Sequence, residues 1–507
     1  MKKNLYVLTA LVMVASMLLA ACGTTTTATD TPAPVGGATD TPSAAAVATD
    51  TPAAGEEATA TLEPTPTYLP MATAEAGKIQ VRWFVGLGTG TDPEQQIAQK
   101  TVVDAFNASQ DKIQLILEVV PYNSAVDTLS TEIASGNGPD IVGPVGWSGS
   151  NAFYGQWLDL KDLIAKNKYD ASDFDPALVS MYQTEEGQVG LPFAVYPGAV
   201  FYQTKMFDEA GLPYPPAKYG EKYKMPDGSE VAWNWDTVTQ VAKILTVDKN
   251  GKDATQEGFD KTQIVQYGFD PQFMNPFHLA NYLAGGAKVY TGAKKGEYKA
   301  ALPDSWKAAF KWWYDGMWGP QPYIPDGAKE QSADYGSGNP FNGGKVAMAV
   351  TQSWYTCCVD AAGDSWELGV LPADASGKIN GRVDADTFRI WKGTKHADET
   401  FQVLSYLLGP ASQELTKTYG AMPAHKSMLD AWFKDKQAQY PFVKNWEIFQ
   451  IDLAYPDVPS GEGYMPNWTE AWNRTTTFQT LMQNNATMDF DAEYNKMVED
   501  LTTIFNK

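Results

Sequence analysis

The side chains that could do chemistry in this chain of 507 residues are carboxylates and aromatic rings. It carries 60 Asp and Glu, 16 Trp, 25 Tyr and 21 Phe, against only 3 His and 3 Cys. Aromatic rings can cover the apolar faces of a small ligand, while Asp, Asn or Arg take its polar groups. Most of these rings must lie in cores, so position has to pick out any that serve a ligand. Two carboxylates could also hydrolyse a glycosidic bond, but they must stand roughly 5–10 Å apart, and no spacing in the chain places such a pair. Cys22, Cys357 and Cys358 fit neither a zinc site nor a CxxC redox motif. His278, His396 and His425 lie in unrelated contexts. No metal, cofactor or histidine-based triad is expected.

The formal charge of −22 argues against nucleic acid, whose phosphates require a basic face, and against a polybasic contact with anionic lipid. The chain is long enough for two or more domains with sizeable cores.

The elements that must position these residues begin after a long N-terminal preface. Lys2-Lys3 and the mostly apolar run Leu5 to Leu19 read as a leader, too short for a comfortable membrane span. Leu19-Ala20-Ala21-Cys22 resembles the lipobox of bacterial lipoproteins, which implies a signal peptide over 1–21 and lipid on the Cys22 sulfur. From 22 to 77 the chain is Thr, Pro and Ala-rich, with ATDTP recurring at Ala28, Ala38 and Ala48. Such a composition cannot offset the entropy of ordering, so it reads as a disordered tether with a reach of about 40 Å.

The folded body starts at Lys78. Ile79, Val81, Trp83 and Val85 alternate along a strand that ends in Gly86-Leu87-Gly88-Thr89-Gly90, a run that fits no phosphate-loop pattern. Asp92, Pro93 and Gln95 form a helix start, with Ile97, Val102, Ala105 and Phe106 as its buried face. A second strand carries Ile113 to Val119. A helix with Val126, Leu129 and Ile133 inward stops at Gly136, and ASGNGPDIV (134–142) turns into a third strand. This alternation predicts parallel pairing with helices on the faces. Gly187 to Leu212 is an apolar run broken by Pro192 and Pro197-Gly198. Proline demotes a central strand, so the stretch reads as an edge or as chain crossing between two units. Further on, Asp248, Asn250, Gly251 and Asp253 suggest a turn; the glycine falls at the wrong place for a calcium loop. Trp306 to Met317, Phe401 to Leu408 and Asp491 to Phe505 read as helices with buried stripes.

ASGNGPDIVG, Gly155-Gln156-Trp157-Leu158-Asp159-Leu160, the proline-broken stretch, FNGGKVAMAVTQSWY (341–355), WELGVLP (366–372) and Gly393 to Pro423 follow in order. Together they resemble the maltose-binding-protein-like, sugar-type extracellular solute-binding proteins of ABC importers, over nearly the whole body from Lys78. The resemblance implies an α/β, two-lobe periplasmic-binding-protein-like fold of type II, each lobe a mixed, mostly parallel sheet flanked by helices, with the cleft between. It implies lobes of 78–196 plus 381–435 and 197–380 plus 436–507. Further crossings fall near Leu371 to Gly381 and between Ala431 and Tyr440. Tyr196 then sits at the cleft floor and Pro197-Gly198 near the axis of closure. By position against the family, the ligand contacts are Trp147, Trp354, Tyr355, Phe273, Asn275, Trp468, Tyr122 and Tyr196. Asp384, Asp386 and Thr387 stand where the family often has a glycine-rich strand start, and their acidity suits more hydroxyls or a cationic substituent.

The function implied is capture of a mono- or oligosaccharide and its delivery, by lobe closure, to ABC permease subunits. The protein would work as a monomer on the outer face of the cytoplasmic membrane or in the periplasm, without catalysis. A glycan-binding or sensory lipoprotein with no transport role is the alternative, and a glycoside hydrolase a more distant one. Cys357 and Cys358 could close a vicinal disulfide in an oxidising compartment or stay as two buried thiols.

Overall fold

A computed structural model describes residues 68–359, 363–457, 460 and 462–507. The leader, Cys22 and most of the tether lie outside the described residues. Among the described residues, no helix is long and apolar enough to cross a membrane.

Nine strands build two sheets: β1 (Ile79–Val85), β2 (Ile113–Val119), β3 (Ile141–Val145), β4 (Pro192–Tyr196), β5 (Gly198–Gln203), β6 (Met348–Gln352), β7 (Trp366–Gly369), β8 (Asp384–Ile390) and β9 (Met422–Pro423). The first sheet has the order β9-β4-β8-β3-β1-β2, and the second β6-β5-β7. β1 runs parallel to β2 and to β3, as the strand–helix alternation requires. β8 and β9 join antiparallel from the far end of the sequence. The result is an α/β architecture of two helix-flanked sheets, the first mixed and the second antiparallel, so neither is the mostly parallel sheet expected: the strands supplied from later in the chain enter without a crossover helix.

Side-chain alternation sorts the core. Val81, Trp83 and Val85 face one side of the first sheet and pack with Leu115, Phe388 and Leu404. Phe84 faces the other, with Leu129 and Val142. Each fully buried side chain of this kind contributes about 1.5–3 kcal/mol. The second sheet packs around Phe201, whose ring meets Tyr355 at 5.2 Å and Trp366 at 5.7 Å.

The stretch from Gly187 to Leu212 does cross: β4 pairs in the first sheet, β5 in the second, and only Pro197 separates them. It is not an edge, because β4 lies between β8 and β9. The prolines are harmless by position. Pro192 is the first residue of its strand, and Pro197 sits between strands, where its carbonyl accepts the Ser353 N–H at 2.8 Å. The chain returns to the first sheet between β7 and β8, and after β9 the helix Leu429–Gln439 takes it back towards the Trp366 side.

Two helix faces differ from expectation. In the helix Pro93–Ser109, Ile97 is 66 % exposed and Ala105 is also exposed; Ala98, Gln99, Val102 and Phe106 form the buried stripe. The buried positions 98, 102 and 106 recur every four residues, a phase that one apolar residue at 97 disguises. In the helix Tyr122–Ala134, Val126 is exposed, while Leu129 and Ala125 are buried. The Asp248 carboxylate organises its loop by accepting from the backbone of Asn250, Lys252 and Asp260, a turn as read.

Candidate functional site

The crossing fixes the centre of the molecule. Tyr196 ends β4 and its hydroxyl donates to Asp386 Oδ2 at 3.3 Å. Two residues later the Gly198 N–H donates to Asp452 Oδ2 at 2.9 Å, and Tyr219 donates to the other oxygen at 2.9 Å. Burial pushes the Asp452 carboxyl up to about 8, against the pull of those two donors.

β8 carries the charged residues. Arg382 precedes it and contacts Asp384 at 2.5 Å and Glu462 at 3.6 Å. Trp354, in the short turn after β6, donates its indole N–H to the other oxygen of Asp384 at 3.3 Å. Burial pushes Asp384 up to about 7, with Arg382 pulling the other way. Burial opposes the charge on Arg382 as well, yet Asp384 and Glu462 hold it above its ordinary value. A bulge at Asp386–Thr387 shifts β8 against β4.

Glu462 ties the halves together. His278, on the helix Pro276–Ala284, meets Glu462 Oε1 at 2.8 Å. From the other side Ser148 contacts the same oxygen at 3.2 Å, and Asn151 donates to the Glu462 carbonyl at 2.6 Å. Burial and the neighbouring Arg382 push the His278 imidazole down to about 4, while Glu462 stays below its ordinary value despite burial, because His278 and Arg382 face it. Near pH 7 the pair is therefore a neutral imidazole donating through Nε2–H to a carboxylate. Asn281, one turn along the same helix, donates to Asp457 Oδ2 at 2.6 Å.

Next to this network lies a cavity of about 230 Å³. Trp147, Asn151, Tyr154 and Gln183–Glu185 line it on one side; Lys288–Tyr290, Asp457 and Tyr464 line it on the other. Tyr154 and Tyr464 stack across it, with ring centroids 3.5 Å apart and planes 12° apart, and Lys288 bridges to Glu185 at 2.7 Å. Trp147 stacks on Tyr182, at 5.5 Å and 17°. Its indole N–H is buried and has no hydrogen-bond partner among the described residues.

The structure therefore brings some of the expected residues together and gives others different work. Trp147 lines the cavity. Trp354 joins Asp384 and stacks on Phe273, at 5.9 Å and 25°. Phe273 is 40 % exposed and holds a left-handed backbone (φ 56°), an uncommon setting for a bulky residue. Tyr355 is fully buried against Phe201 and Phe341, and its hydroxyl donates to Asn339; it belongs to the core of the second sheet. Thr387 is also fully buried, and its hydroxyl locks onto the Leu191 carbonyl at 2.6 Å across the bulge. Asn275 caps its helix by accepting from the His278 N–H at 2.9 Å. Trp468 stacks on Trp472 at 4.8 Å, and Tyr122 stands 44 % exposed at the start of its helix. Cys357 and Cys358 are joined by a disulfide and are the last two residues of the Ser353–Cys358 turn that carries Trp354.

His278, Asn281, Arg382, Asp457, Glu462 and the three cavity tyrosines escaped the sequence reading. Arg382 and Asp384 have the two-residue spacing of one strand face, and His278 and Asn281 the three-residue spacing of one helix face. Those were the available signals.

The profile of the bacterial extracellular solute-binding protein family matches residues 101–442. Among solved structures, UspC of Mycobacterium tuberculosis is 20 % identical with a TM-score of 0.62, covering 84 % of this chain and 100 % of its own. The ABC substrate-binding protein Lmo0181 of Listeria monocytogenes, in complex with cycloalternan, is 17 % identical with a TM-score of 0.59, covering 84 % and 98 %. An ABC transporter solute-binding protein of Thermotoga lettingae, bound with α-D-tagatose, is 19 % identical with a TM-score of 0.57, covering 84 % and 100 %. The family and the last two neighbours are described as binding proteins and not as enzymes. With two thirds of its length matched by one family, the chain belongs to the bacterial extracellular solute-binding proteins.

Proposed function

We propose that this protein captures a carbohydrate outside the cytoplasm and delivers it to an ABC-type permease. The observation that carries the reading is the aromatic-walled cavity at Trp147, enclosed by elements from both sides of the crossing and backed by buried hydrogen-bonding groups. Its volume of about 230 Å³ is below the 300–1,000 Å³ usual for drug-sized ligands, which suits a single sugar ring or the end of a chain. Neighbours that share the fold hold cycloalternan and tagatose, which supports the carbohydrate class without fixing the sugar. Closure follows from the layout: a ligand touching both sides favours the closed arrangement by its differential affinity for it. Cys22 and the tether would keep the protein beside its permease through a lipid anchor. A thermal-shift screen against mono- and oligosaccharides tests the reading, since a bound ligand raises Tm by mass action. At 100 times Kd the gain is about 2.7 kcal/mol. A panel in which no carbohydrate moves Tm overturns it.

A further inference from the structure

The cavity beside Trp147 has a neighbour. A second cavity, of about 550 Å³, lies against it, and Asn151, Tyr154 and Tyr464 line both. The Tyr154–Tyr464 stack is therefore a partition between two chambers. Both chambers are walled by the same two stretches of chain. Residues 147–154 supply Trp147 to the first, Ala152 to the second, and Asn151 and Tyr154 to both. Across from them, Asp457 and Gly463 line the first, Asn467 and Thr469 the second, and Tyr464 both. Two chambers between the same pair of walls are two halves of one groove.

The partition is a light one. Tyr154 and Tyr464 are each only half-buried, and they reach in from opposite walls. When they part, each ring loses the contact of the other and can regain it from the apolar face of a ligand lying between them.

The halves differ in chemistry. Aromatic and aliphatic groups dominate the first, among them Trp147, Met181, Val289 and Tyr290. The second is more than twice as large and mostly polar. Asn467 and Thr469 bring groups that both donate and accept hydrogen bonds, and Glu470, bridged to Lys507 at 2.8 Å, adds a carboxylate beside an ammonium. A single hexose is accommodated by the first half and makes no use of the second. A chain of sugars continues where the single ring stops, with its hydroxyls among side chains suited to exchange hydrogen bonds with them.

We propose that the ligand is an oligosaccharide of at least two units laid along this groove. Its terminal unit occupies the cavity beside Trp147, the next unit occupies the second cavity, and Tyr154 and Tyr464 part to take the linkage between their faces. This rests on the carbohydrate reading above and adds the length of the ligand to it.

The test is isothermal calorimetry on the folded protein with three series of increasing length. These are glucose, maltose and maltotriose; glucose, cellobiose and cellotriose; and mannose with its β-1,4-linked dimer and trimer. The expected result is that binding tightens at least tenfold from the hexose to the trimer in one series. Thr469 is exposed, so Thr469→Trp can place an indole in the second cavity without disturbing a core. In that variant the gain with length should fall to less than threefold. Trimers that bind no tighter than their hexose in every series would overturn the oligosaccharide inference and leave the carbohydrate reading standing. A gain undiminished in a folded Thr469→Trp protein would overturn the second cavity as the seat of the further unit. If no member of any series binds, both readings fall.

Discussion

At the scale of single residues, Asp452 shows how the centre of the molecule is held under electrostatic tension. Its carboxyl is raised from the ordinary range to about 8 by burial, so at intermediate pH the folded chain binds a proton that the unfolded chain has released. Its contribution to stability is therefore greatest below the ordinary carboxylate range and is lost as pH rises through about 8. Asp452→Asn keeps the shape and an acceptor for the Gly198 N–H, and the Tyr219 hydroxyl can turn round to accept. The variant should match the parent near pH 4 and melt higher at pH 8, by about 2–4 °C for each kcal/mol relieved. A melting curve against pH checks this, and equal Tm values at pH 8 would contradict it. His278 has the opposite sign: its lowered value means stability is lost as pH falls below the ordinary histidine value towards about 4.

Residue roles were legible only in part. Trp147 could be read because it follows a strand's end, where ligands gather in open α/β sheets. Tyr355 and Thr387 lie in the same local patterns, yet both point into packing, since neighbours in sequence alternate between faces. His278 and Glu462 are 184 residues apart, and no local pattern carries a contact of that kind.

At the scale of elements, the passage from β4 through Pro197 to β5 is the joint on which the two sheets depend. It was the most readable feature of the chain, because prolines inside an apolar run leave few options other than a change of sheet. Its tolerance is narrow. A Cβ on Gly198 would lie 2.4 Å from the Tyr282 hydroxyl and 2.9 Å from its ring, and Gly198 also donates to Asp452. Gly198→Ala should cost about 1–3 kcal/mol, the usual range for overpacking. It should weaken ligand binding as well, because Tyr282 and the Asp452 contact must both shift. Urea melts and calorimetry on the same variant check both halves; unchanged stability with unchanged affinity would show that the joint is slack. The phase of the first helix was misread for a plainer reason. With few large apolar residues between 93 and 101, Ile97 drew the stripe towards itself, whereas the neighbouring sheet is met by Ala98, Gln99 and Val102.

At the scale of the whole molecule, the Tyr154–Tyr464 stack and the Lys288–Glu185 bridge join opposite walls of one cavity, and the Ser148–Glu462 contact lies in the network next to it. Exposed ion pairs contribute little, about 0–1 kcal/mol, so these contacts alone cannot hold the cavity shut against domain motion. Ligand contact to both walls has to supply the remainder. Small-angle X-ray scattering should therefore show a smaller radius of gyration with a saturating sugar than without, and identical profiles would contradict closure.

The central claim is that a carbohydrate occupies the cavity at Trp147. The most direct measurement is calorimetric titration of the best sugar from the screen into the parent protein and into Trp147→Ala. Circular dichroism and Tm serve to confirm that both are folded. The account predicts saturable binding to the parent and at least a tenfold loss in the variant. Undiminished binding by a folded Trp147→Ala protein would contradict it.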